Sequence, residues 1–116
     1  MLSQPTNQHI FKMQSEICKI LANPKRLQIL HDLRDDERTV TELCNATGIR
    51  QANVSQHLAL MRHCNMVKER RVGNTVFYRI SDGRIIKACD IMRTVLLDQA
   101  SKDSKLVQLA TASRHQ

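Results

Sequence analysis

Along most of this chain apolar residues recur at helical spacing; once, between residues 66 and 80, the period drops to two. In "QHIFKMQSEICKIL", residues 8–21, Ile10, Met13, Ile17, Ile20 and Leu21 share one face and predict a helix. Asn23 before Pro24 offers an N-cap and a first helical position. A second helix is therefore expected from Pro24 to Leu33, burying Leu27, Leu30 and Leu33. "RDDER" reads as a charged turn. Thr39 and Glu42 fit a capping box that starts the short helix "VTELCNAT". Gly48 suits the left-handed position that would end it, with Val40, Leu43 and Ile49 facing inward. Residues 51–63, "QANVSQHLALMRH", then place Val54, Leu58 and Met61 at i, i+4 and i+7, one buried stripe.

The alternating segment is a hairpin in outline. "MVKERR" and "TVFYRI" flank "VGN"; Gly73-Asn74 supplies the turn, and Val76, Tyr78 and Ile80 alternate with Thr75, Phe77 and Arg79. Tyr78 and Ile80 are expected to pack the hairpin onto the core. Asp82 can cap a last helix whose stripe is Ile85, Cys89, Met92 and Leu96. A short helix, a Gly-containing turn and a second helix with a polar outer face form a helix-turn-helix; the basic hairpin after it makes the fold a winged one. The expected class is thus mainly α with a small β-hairpin. Residues 1–100 read as one domain and 101–116 as a polar tail, partly helical or disordered.

Composition narrows the partners. A chain of 116 residues is one domain's worth, and 3% aromatic content makes its core aliphatic. Eighteen Lys+Arg against eleven Asp+Glu leave +7, which favours a polyanion, nucleic acid before membrane; solubility alone is the plainer explanation of the same charge. No run approaches the ~18 apolar residues of a spanning helix, and "MLSQPTNQHIFKMQ" lacks the basic-then-apolar order of a secretory signal. Cys18, Cys44, Cys64 and Cys89 lie 20 or more residues apart without a C-x-x-C, so a reducing cytoplasm is the expected home. No Gly-rich phosphate loop, G-x-S-x-G or H-E-x-x-H is present, and an enzyme is not expected.

The outer side of residues 51–63 is the candidate chemistry. It carries Gln51, Ala52, Ser55, Gln56, Ala59 and Arg62, with no acid. A helix entering the major groove needs small or hydrogen-bonding side chains, and carboxylates there would meet phosphate repulsion. Gln51, Asn53 and Gln56 pair a donor with an acceptor, which suits adenine N6/N7. Ala52 can approach a thymine methyl, and Ser55 and His57 can bond to a base edge or a phosphate. A polar solvent-facing helix is the bland alternative, and His57 reads equally as a surface histidine. In the hairpin, Lys68, Arg70, Arg71 and Arg79 surround Gly73 and Asn74, a cationic tip suited to phosphates or the minor groove. Lys25 and Arg26 are weaker candidates for phosphate contacts.

Three ordered blocks, "LANPKRLQIL", "VTELCNATGIRQANVSQHLALMR" and "ERRVGNTVFYRI", resemble the ArsR/SmtB repressors over roughly residues 10–100. The resemblance implies a dimeric winged helix-turn-helix protein that binds double-stranded operator DNA and is released by an inducer. It places the DNA contacts on the first two turns of residues 51–63. It also assigns the dimer interface to the first and last helices, here Ile10, Met13, Ile17, Ile85, Cys89, Met92 and Leu96. Two-fold symmetry then calls for a palindromic operator with half-sites about 34 Å apart, or a multiple of it.

The family's metal sites are incomplete here. Cys44 stands alone in "ELCNA", the last helix has Asp82, Asp90 and Asp98 but no His, and Leu60 stands where a partner for Cys64 would be. No metal or other cofactor is expected; a zinc ion held by His63, Cys64 and a cysteine of a second copy is the alternative. Thiol or persulfide sensing through Cys18, Cys44, Cys64 or Cys89, with Cys18 and Cys89 meeting across a dimer, stands beside inert packing of the same side chains. A winged-helix module that binds protein rather than DNA is the reading from another class.

Overall fold

Side-chain caps start the first three helices. The computed structural model describes residues 6–102 and 108–109. Helix α1 (Asn7–Leu21) begins where the Thr6 hydroxyl accepts from the His9 N–H at 3.2 Å. Helix α2 (Pro24–Asp32) begins at Asn23, whose Oδ1 accepts from the Lys25 and Arg26 N–H groups. Helix α3 (Val40–Thr47) opens on the complete capping box: the Glu42 N–H donates to Thr39 and the Thr39 N–H donates to Glu42. Those bonds hold the Glu42 carboxyl below its usual pKa. Gly48 ends α3 at φ 74°, a backbone conformation that costs a side chain energy.

Helix α4 (Gln51–His63) follows at once. Strands β1 (Val67–Val72) and β2 (Thr75–Ile80) pair antiparallel around the two-residue turn Gly73-Asn74. Gly73 takes φ 60° and Asn74 does not take positive φ, the pattern of a II′ turn, whose twist matches the strands. Asn65, between α4 and β1, is the non-glycine residue with positive φ among those described. Arg38 adds a third rung: its N–H donates to the Tyr78 carbonyl at 2.9 Å and the Tyr78 N–H donates back at 2.8 Å. The charged turn expected at "RDDER" therefore ends as an edge bridge to β2.

The chain divides into two compact units, Met1–Asp82 and Gly83–Gln116. In the first, Ile29, Leu30, Leu33, Leu43, Ile49, Val54, Leu58, Met61, Met66 and Val67 form an aliphatic core. Helix α2 packs on α1 and α3, and α4 packs on α3 and β1. The stripe expected for α2 is corrected here: Leu27 is 41% exposed, and Ile29 is buried in its place. Both choices obey helical spacing; the position of α1 and α3 decides between them.

The second unit contains α5 (Gly83–Lys102). It runs through residue 100, where the sequence placed the edge of the domain. Ile86 is its buried residue, Ile85 and Cys89 are half-buried, and Met92 and Leu96 are exposed. Ile91, Val95 and Leu97 are exposed as well, so the apolar arc is broader than the expected stripe. Apart from residues 101–102 and 108–109, the tail lies outside the described residues.

Candidate nucleic-acid interface

Helix α4 has two sharply different sides. Val54, Leu58 and Met61 are each 0% exposed, which fixes the helix to the body. Gln51, Ala52, Ser55, Gln56, Ala59 and Arg62 are exposed. Asn53 and His57, one turn apart, are half-buried on the flank between these sides. Unlike α1, α2 and α3, helix α4 has no side-chain cap: Arg50 occupies the N-cap without such a bond, and the first turn contains no acid. Its first N–H groups and the positive end of its dipole are left for an outside acceptor.

His57 is positioned by Arg26. The Arg26 guanidinium donates from Nε to the Ile20 carbonyl at 2.6 Å and from Nη2 to the Lys19 carbonyl at 3.4 Å, closing the end of α1. Its Nη1 lies 3.5 Å from His57 Nδ1. Arg26 thus ties α1, α2 and α4 together rather than standing as a solvated helix end. Burial, then the charges of Arg26 and Lys25, push the His57 pKa down and favour the neutral ring. A neutral ring that accepts at Nδ1 carries its proton on Nε2, the atom left for a base or phosphate.

The wing's two faces follow from its register. Lys68 lies opposite Arg79 and Arg70 opposite Phe77 on one face; Glu69 lies opposite Tyr78 and Arg71 opposite Val76 on the other. Like charges directly opposite destabilise a hairpin, so the Lys68–Arg79 pair costs stability unless an anion joins it. Arg70 donates from Nε to Glu37 Oε2 at 3.1 Å and from Nη2 to Glu37 Oε1, and its Cζ sits 4.9 Å from the Phe77 ring centre. These bonds to Arg70, then its charge and that of Arg79, hold the Glu37 carboxyl below its usual pKa. On the other face Glu69 lies 3.7 Å from Arg62 and 3.8 Å from Arg71. Arg62, Lys68, Arg70, Arg71, Asn74 and Arg79 are all exposed. Glu37 and Glu69, each half-buried, are the residues that sequence reasoning missed; an acid inside an otherwise basic block was their faint signal.

This arrangement has close counterparts. Residues 23–69 match the family model described as "Bacterial regulatory protein, arsR family". The crystal structure of Mycobacterium tuberculosis Rv0081 superposes with TM-score 0.72 at 34% identity, over 86% of this chain and 97% of that one. The chain belongs to the ArsR family. The homodimeric winged helix-turn-helix DNA-binding domain Mb0332 of Mycobacterium bovis gives TM-score 0.74 at 27% identity, over 89% and 96% of the two chains. The regulator KmtR of M. tuberculosis is 40% identical over 70 residues, 60% of this chain but 54% of KmtR, so the match spans about half of that relative.

The family's sensing chemistry finds fewer supports. Cys18 is exposed, Cys44, Cys64 and Cys89 are half-buried, and all four are free thiols. Burial, and then the neighbouring Asp90 charge, push the Cys89 thiol up, away from the reactive thiolate. Among the described residues, no three His, Cys, Asp or Glu side chains gather as a metal site would need. No described helix is long and apolar enough to cross a membrane. Of the residues expected at the dimer interface, Ile10 and Met13 on α1 are 46% and 51% exposed and Ile17 is half-buried.

Proposed function

We propose that this chain is a homodimeric, sequence-specific transcriptional repressor that binds palindromic double-stranded DNA and is released by an inducer. The observation that carries the reading is α4: an acid-free, amide-bearing face stands exposed while the opposite face is wholly buried. Gln51, Asn53 and Gln56 read base edges, Ala52 meets a thymine methyl, and Ser55 and His57 bond to bases or phosphate. Arg62, Lys68, Arg70, Arg71, Asn74 and Arg79 position the duplex through its phosphates or minor groove. The exposed apolar arcs of α1 and α5 each meet a second copy, and the cytoplasm is the compartment.

One module reads few base pairs, so affinity for one site depends on the dimer. Selection from a randomised duplex pool, followed by titration at several salt concentrations, tests the proposal. A two-fold symmetric consensus is expected, with log K falling by about 0.9 per phosphate contacted for each decade of salt. A monomer indifferent to duplex at low salt would remove it. Repeating the titration with a metal panel, an oxidant and polysulfide, beside Cys18→Ser, Cys44→Ser, Cys64→Ser and Cys89→Ser, assigns the inducer class.

A further inference from the structure

Glu37 stands out because charge alone says that it should not be there. It lies beside two cations of the wing, Arg70 and Arg79, on the face where the proposed function wants positive charge. The bridge between Arg38 and Tyr78 fixes its backbone beside β2, and its side chain crosses β2 to reach Arg70 on β1. Arg70 is held at two points by the carboxylate and lies against the Phe77 ring. A long side chain with several rotatable bonds is thereby reduced to one geometry. The two bonds use Nε and Nη2, so the Nη1 side of the fork remains available to a further acceptor.

We propose that Glu37 is a positioning residue for DNA binding: by gripping Arg70 across β2 it aims the free edge of that guanidinium at a backbone phosphate. The proposal rests on the DNA-binding reading above. Glu37 itself touches no DNA. The charge lost at Arg70 by pairing is offset because the side chain no longer has to be ordered when the duplex arrives.

The sign of one substitution separates this from simple charge counting. If Glu37 were only a misplaced negative charge, removing it would tighten binding to any duplex. If it positions Arg70, removing it loosens binding. The probes are the duplex that the wild-type chain selects from a randomised pool of about 30 base pairs, room for two half-sites one turn apart, and an unselected duplex of the same length. Glu37→Ala is expected to weaken the selected complex about three- to tenfold and to lower the salt slope by about 0.9, one phosphate's worth. Arg70→Ala should do the same, and Glu37→Ala in the Arg70→Ala background should add nothing. Glu37→Gln, which keeps one acceptor for Arg70, should fall between wild type and Glu37→Ala. Tighter or unchanged binding by Glu37→Ala with an intact thermal transition overturns the proposal, as do independent losses in the double variant. Should Glu37→Ala fail to fold, a looser complex for Glu37→Gln and its loss of effect in the Arg70→Ala background decide the matter. If the wild-type chain binds neither duplex, the DNA-binding reading fails, and this inference falls with it.

Discussion

The two sides of α4 can be separated by one pair of substitutions. Leu58 is 0% exposed between Val54 and Met61. Leu58→Ala removes three buried carbons, about 2.4 kcal/mol at ~0.8 kcal/mol each. The cavity left behind adds to this, for a total of about 3 kcal/mol within the usual range of roughly 2–5. Against a total stability of about 5–15 kcal/mol that is a large share. The melting temperature should drop by roughly 10–20 °C. Gln56→Ala, on the exposed side, should change stability by less than about 0.5 kcal/mol. It should instead cost about 1–3 kcal/mol on the selected duplex if the amide pairs with an adenine edge. That is about a 5- to 150-fold loss, with little change on random duplex. Thermal denaturation at fixed protomer concentration and fluorescence anisotropy with labelled duplex read the two quantities. A Gln56→Ala variant that melts as low as Leu58→Ala, or that binds the selected duplex like wild type, would refute the division of α4 into an anchoring and a reading side.

Arg71 is 72% exposed in its side chain and only loosely paired with Glu69. Arg71→Ala should weaken selected and random duplexes alike and lower the salt slope by about 0.9, as filter binding across a salt series would show. Thr39→Ala breaks the capping box of α3 and should cost about 1 kcal/mol in urea denaturation, leaving the affinity of the folded protein near wild type. His57 has a lowered pKa in the folded chain, from burial and then from Arg26 and Lys25. The unfolded chain therefore takes up this proton first as pH falls. The stability due to His57 should be present above about pH 6.5 and decline as pH drops through that value toward the lower folded one. His57→Gln should flatten this part of the pH–stability curve, and an unchanged slope would contradict the downward shift that burial and the two cations impose on His57.

The helices and the hairpin were legible because their signals are local. Thr39 and Glu42, Asn23 and Pro24, Gly48 and Gly73 act over one to three residues, and all behave in the structure as their spacing implies. The buried stripe of α4 was equally legible, since three large apolar residues at i, i+4 and i+7 leave one face to bury. The contacts of Arg26 with His57 and of Glu37 with Arg70 span 31 and 33 residues. No periodicity joins residues so far apart; only the packing of α2 near α4 and the Arg38 bridge to β2 bring them together.

By itself, then, the order of residues determined five helices and a hairpin, the side of α4 that anchors and the side left free, and the excess of positive charge. Each follows from short-range backbone preferences or from one-dimensional spacing. Tertiary structure alone decided that Ile29 rather than Leu27 enters the core, that Arg26 closes α1 and fixes His57, and that Glu37 grips Arg70 of the wing. These depend on which surfaces meet, and burial and charge pairing act through space rather than along the chain.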